Sequence, residues 1–428
     1  MILNGVSYAR LEDLEITHDE QAAGESAFFR DGIQAYDQSM RHVVFRNLYI
    51  HHLDEFGLNL QDVEDLRVMD CQIEYCGFGA IGGPAGTEGG WRQVRIDGCR
   101  FAFSGHYYQG GDGTNRPYDR PDGFGIEASA GPVEIVDTRS EHNYGDGLDS
   151  KAFNTLIQRC IVANNSCDGV KLWGAGSRVE NTLIYGRGDG NPEPSPWSAI
   201  VIHSQATNAA FSIVNVTVDD FLGGNYLVHA QYDDAVPVRV TIRDSIFRAT
   251  GAGSSLWFRD CITLTAENNV FYAPSTDAVV IHGPTEYTAN DLASLGTGNR
   301  YGDPRFVAPG WGVVGDYHLQ ADSPAIGTAE RIYFLPTDLE GRLRDAEPDV
   351  GAYEFGSEVP TARLDILGGA GTLLIQWPDP SPCFRLQSCL SLDGPWEAVL
   401  DAPSVSNQVL RVSVPATGRS RFFRLRKE

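Results

Sequence analysis

Three short stretches decide the fold: PDGFGIEAS at 121–129, GDGLDSKAF at 145–153 and CDGVKLWGA at 167–175. Each carries Asp-Gly followed by an alternating run, and the starts lie 24 and 22 residues apart. In a strand, neighbouring side chains point to opposite faces. With Phe124, Leu148 and Val170 pointing inward, the residues on either side of them face out. One such segment cannot bury its inward face alone. Stacked segments can, at about 4.8 Å per layer. The alignment generates vertical columns: Asp122–Asp146–Asp168, then Gly125–Asp149–Lys171, then Glu127–Lys151–Trp173.

The pattern extends outward from there. Gly57, Gly79, Gly123, Gly147 and Gly169 each open a short strand, at steps of 22, 44, 24 and 22 residues. The long step holds an inserted loop from His106 to Pro121. A second alternating run follows each opening, as in DLRVMDCQI, GPVEIVDTRS and NTLIQRCIV. Coils of 20–30 residues with two or three strands each predict a β-solenoid, continuing through SAIVIHSQ, VRVTIRDSIF and DAVVIHG to about residue 285. The fold class is therefore all-β, a right-handed parallel β-helix. Residues 1–357 form the solenoid, with a loop-rich closing segment from about 286. Residues 358–428 change texture to short alternating strands, predicting a small β-sandwich-like module. Asn143 and Asn165, 22 apart, predict an asparagine ladder at a turn. Cys71, Cys99 and Cys160 hold equivalent places and predict a buried stack of thiols. Cys383 and Cys389 could pair locally as a disulfide. The first residues already read as a coil, which implies a missing upstream cap and signal region.

The net charge of −24 weighs against nucleic-acid partners. No apolar run reaches membrane-spanning length. The eight Cys show no zinc spacing. The chemistry concentrates in the three aligned stretches. Carboxylates one layer apart repel unless a cation lies between them, and hard oxygen donors suit Ca²⁺. Asp122, Asp146, Asp149 and Asp168 are the candidate metal ligands. Lys171 stacks on Asp149, where a divalent ion and partial burial would lower its pKa toward that of a general base. Trp173 offers a face for a sugar ring. Arg116 and Arg120 in the inserted loop could hold a sugar carboxylate, and His203, at the end of SAIVIH, is a further substrate-binding candidate. The same residues have a structural reading: Asp-Gly is a common turn pair, and Lys often pairs with Asp on a sheet for solubility.

These stretches resemble the pectate lyases of polysaccharide lyase family 9. There one coil carries Asp-Gly-Phe, the next Asp-Asp-Gly-aromatic-Asp, and a later one Gly-Phe-Lys-Leu-Gly. The resemblance covers residues 120–175 closely. It implies Ca²⁺ held by Asp122, Asp146 and Asp149, with Lys171 as catalytic base. Gly145 stands where the family has an Asp, so Asp168 is the replacement ligand expected here. The Lys coil also follows without the family's insertion. The function expected is that of a secreted or cell-surface, monomeric, Ca²⁺-dependent lyase that cleaves an acidic, uronate-containing polysaccharide by β-elimination. A bridging cation would reconcile an acidic protein with an acidic glycan. Two alternatives stay open: a non-catalytic glycan-binding β-helix, or a glycoside hydrolase using Asp146 and Asp149 as its carboxylate pair.

Overall fold

The structure is a computed structural model of the whole chain. It describes residues 1–18, 30–109, 121–188, 198–222, 226–231, 235–251, 256–332 and 335–356, and in the C-terminal part residues 364–369, 371–378, 384–390, 396–399, 404–406, 409–415 and 421–427. Three long sheets dominate, each built from eleven described strands. In two of them the strands follow one another in chain order, one per coil, and every neighbour is parallel except the closing pair Val280–His282 and Thr285–Tyr287. The third differs only in that Trp91–Arg92 lies off its path. Each coil therefore adds one strand to each sheet, and the strands of one coil pair with those of the next.

The register confirms the inward column. Phe124 pairs with Leu148 and Leu148 with Val170, and all three are fully buried. The core runs continuously from Ile33 to Val280 and beyond. One alignment shifts: Gly79 lies opposite Phe56, not Gly57, because Leu58 pairs with Ile81. The coils close through one-residue corners in left-handed backbone. Asn47, Asp70, Asp137, Asn181, Asn215 and Asp244 sit there with φ between 44° and 53°, a conformation that short polar side chains tolerate best. The residue after each corner points inward, and this position carries the buried thiols Cys71, Cys99 and Cys160. Thr138 and Thr182 share that column, their hydroxyls accepting the N–H groups of Cys99 and Cys160. The asparagine ladder is present: Asn143 Nδ2 donates to Asn165 Oδ1 at 2.9 Å. A second pair, Asn269 and Asn299, repeats it at 3.0 Å.

The chain divides into two compact units, Met1–Glu330 with Pro348–Phe355, and Arg331–Glu347 with Gly356–Glu428. The second contains two small antiparallel sheets, of four and three strands, around Ile375, Trp377, Leu386, Val412 and Val414. Its first residues, Arg331–Glu347, come from the closing segment that the sequence reading gave wholly to the solenoid. Cys383 lies outside the described residues, so the pairing considered for Cys389 does too.

Candidate functional site

The aspartate column forms where three strands of one sheet begin: Asp122 opens Asp122–Ser129, and Asp146 and Asp168 lie two residues before Leu148–Ala152 and Val170–Leu172. Asp122 Oδ1 accepts the backbone N–H of Asp146 at 2.7 Å. Asp146 Oδ1 accepts that of Asp168 at 2.8 Å, and Asp168 Oδ1 that of Ser198 at 2.8 Å. One oxygen of each carboxylate thus closes the turn of the next coil, which is the structural role expected of Asp-Gly. The second oxygens do something else. Lys171 Nζ lies 2.5 Å from Asp146 Oδ2, 3.4 Å from Asp168 Oδ2 and 4.0 Å from Asp149 Oδ2.

Asp149 and Lys171 are register partners, as the columns predicted. The lysine's primary contact is nevertheless Asp146: its flexible four-carbon stem reaches diagonally across the sheet. Burial alone would lower the ammonium's pKa, but Asp146, Asp149 and Asp168 outweigh it and hold the group well above its usual value. Lys171 is therefore as firmly paired here as Lys151, which bonds Glu127 Oε1 at 2.5 Å. The lowering of the Lys171 pKa expected from partial burial is outweighed by these contacts.

Asp122, Asp146 and Asp149 each offer an oxygen, all within 4.8 Å of one another. Asp168 is not in that group; it turns to Lys171 and Ser198. Burial first, then the charges of Asp146 and Asp149, push the Asp122 carboxyl well above the usual carboxylate range. Burial, with Asp146 adding to it against the pull of Lys171, pushes Asp149 up to about 7. Asp149 Oδ1 is buried and has no hydrogen-bond partner. Three hard oxygen donors, mutual repulsion and an orphaned buried oxygen fit a divalent cation such as Ca²⁺. Gly125, one layer below Asp149, leaves the room this requires: a Cβ there would lie 2.8 Å from Asp122 Oδ2.

The cluster opens into a groove of about 540 Å³. At one end lie Glu127, Lys151 and Trp173, the third predicted column, with the Lys151 ammonium 5.3 Å from the Trp173 ring centroid. His203 tilts against the same indole at 4.7 Å. The flat sugar-binding face expected of Trp173 is thus shared with protein groups. At the other end lie Tyr36, Phe56, Phe78 and Pro84, which the sequence reading did not single out. Phe56 was findable, since it stands in the register column of the aspartates, but the slip at Gly79 hid it. The inserted loop begins beside this end: Tyr108 stacks on Phe78 at 6.2 Å, and Tyr107 bonds His18 instead, through its hydroxyl at 2.9 Å. Arg116 and Arg120 lie outside the described residues.

A family model described as "Right handed beta helix region" matches residues 2–187. No curated protein sequence matches the chain. Similar solved structures include the pectate lyase Pel9A, at 11% identity and TM-score 0.46, covering 80% of this chain and 87% of that one. XylC, solved in complex with xylose, has 11% identity and TM-score 0.47 over 77% of this chain and 65% of its own. The catalytic unit of the GH87 α-1,3-glucanase of Streptomyces thermodiastaticus has 13% identity and TM-score 0.27 over 72% and 63%. With the family match and three parallel sheets that each gain one strand per coil, the chain is a right-handed parallel β-helix.

Proposed function

We propose that this β-helix is an extracellular, Ca²⁺-dependent lyase that cleaves a uronate-containing polysaccharide by β-elimination. The observation that supports it best is the buried, unpartnered Asp149 oxygen inside a cluster of three carboxylates that also holds a lysine. Asp122, Asp146 and Asp149 would hold the cation. When bound, Ca²⁺ would offset their charge and make the C5 proton of an adjacent uronate more acidic. Those same carboxylates hold the Lys171 ammonium well above its usual pKa; with their charge offset, its amine would act as the base. Its Nζ takes the C5 proton, the electron pair forms the C4–C5 double bond, and the C4 glycosidic bond breaks. The departing oxygen takes a proton from solvent.

Asp149, pushed up to about 7 beside Asp146, supports a second reading, a carboxylate pair for glycoside hydrolysis. One experiment separates them. The protein is incubated with a panel of acidic polysaccharides, with Ca²⁺ or with chelator, and the products are weighed by mass spectrometry. A lyase yields fragments lighter by one water than hydrolysis does, and only with Ca²⁺. Hydrated fragments that persist in chelator favour the hydrolase. No fragments from any polymer leave the glycan-binding alternative.

A further inference from the structure

The groove has two halves of different chemistry. The charged lining side chains, Asp122, Asp146, Asp149, Lys171, Glu127 and Lys151, all lie on the three coils from 122 to 171. The coils before them present an aromatic end instead. Phe56 lies down on the strand Gly79–Gly83 of the next coil. A Cβ at Gly82 would come 2.7 Å from its ring, and one at Gly79 would come 3.1 Å. Glycine at these two places is what lets the ring rest on the backbone. Phe78 meets Phe56 edge-on, with centroids 5.9 Å apart and an interplanar angle of 88°. Tyr36 and Pro84 complete this end, and Asn59, whose Nδ2 donates to Asp31, lies beneath it.

Building on the lyase reading, we infer that this aromatic half is a subsite for a neutral pyranose, so that the substrate is a mixed polysaccharide in which a neutral sugar adjoins the uronate. A pyranose presents an apolar face of C–H groups that stacks on aromatic rings. A uronate carboxylate in the same place would lose water beside ring faces that are themselves electronegative. It would also approach Asp122. The aromatic half spans about 10 Å, two coils, and runs without interruption into the carboxylate cluster. The buried, unpartnered Asp149 oxygen lies in that cluster, where the lyase reading seats the neighbouring acidic unit.

The test measures binding as well as cleavage. The full chain, with Ca²⁺, is titrated calorimetrically with homopolymeric uronates (polygalacturonate, alginate) and with oligosaccharides that alternate uronate and neutral sugar, while unsaturated product is followed by absorbance. The alternating glycans should bind about tenfold more tightly, and Phe78→Ala should remove about that factor, the contribution of one stacked ring, with a smaller loss for homopolymers. Gly82→Val, which drives a side chain into the space held by Phe56, should act the same way; circular dichroism checks that each variant is folded. Equal or tighter binding of homopolymers, loss in Phe78→Ala that is the same for both classes, or binding of neither class overturns the inference. Alternating glycans bound through Phe78 but never cleaved would leave it standing and remove the lyase reading. Cleavage of homopolymers alone would do the reverse.

Discussion

Without a cation the carboxylate cluster should destabilise the fold as pH rises, and the size of that effect follows from Asp149. Its carboxyl is held up to about 7 by burial, against an ordinary value of 3.8. The folded state therefore keeps a proton that the unfolded chain has already lost. Stability falls wherever the native state binds more protons, so it declines as pH rises from about 4 through 7. Integrated over one group, the loss is about 3 kcal/mol between pH 5 and 8, and about 1 kcal/mol of it falls above pH 6.5. Asp31 and Asp219, each raised to about 6 by burial, add to the decline mainly below that point. His229, held down to about 4 by burial and then by Arg259, works in the opposite direction. Most of its contribution is gained below 6.5, and the remainder, about 0.4 kcal/mol between pH 6.5 and 8, is smaller than the loss from Asp149, so pH 6.5–8 is the informative window. The assay is urea unfolding in chelator across pH 5–8, repeated with Ca²⁺ and with Asp149→Asn. The unaltered protein should weaken through the window, and Asp149→Asn should weaken less, its remaining decline coming from Asp122, which burial also holds up. Ca²⁺ at a hundred times its Kd at pH 8 should restore about 2.7 kcal/mol there, and the same concentration far less at pH 5, where protonated carboxyls weaken its binding. A flat or rising profile in chelator, or a Ca²⁺ effect independent of pH, would refute the reasoning.

Other outcomes follow from the same contacts. Lys171→Arg keeps the charge but cannot give up its proton, so turnover should fall by about 10²-fold or more in steady-state kinetics, while Lys151→Arg should change it little. Gly125→Ala places a Cβ against Asp122 Oδ2, so calorimetry should show weaker Ca²⁺ binding with an unfolding midpoint close to that of the parent. Asn143→Ala leaves the buried N–H of Ser104 without its acceptor; about 1–3 kcal/mol of stability should be lost, with activity per folded molecule retained.

Much of the solenoid was legible because its coils between 121 and 175 have nearly constant length. Constant length preserves register, and register fixed the columns that carry Phe124, Leu148 and Val170 inward and bring Asp149 under Lys171. The asparagine pair and the thiol stack follow from the same periodicity. What escaped reading has physical reasons. Gly79 looked like a coil opening, but glycine has no side chain to declare which face it serves, and the true partner of Gly57 is Ala80. That one-residue slip concealed Phe56 in the aspartate column. The position of Lys171 Nζ was not legible either, since a column fixes a Cα and not the end of a long stem. The one-residue corners were written in Asn and Asp at repeated places, yet Arg159 occupies one of them too, which blurs the pattern.

In the proposed reaction Asp122, Asp146 and Asp149 hold Ca²⁺ and Lys171 then removes a uronate C5 proton. Absorbance of unsaturated uronate, followed while Ca²⁺ is titrated into chelator-treated protein with an acidic polysaccharide, tests it most directly. Absorbance should grow only after Ca²⁺ is added, saturate with it, and be lost in Lys171→Arg. Absorbance that grows equally in chelator, or that persists undiminished in Lys171→Arg, would contradict it.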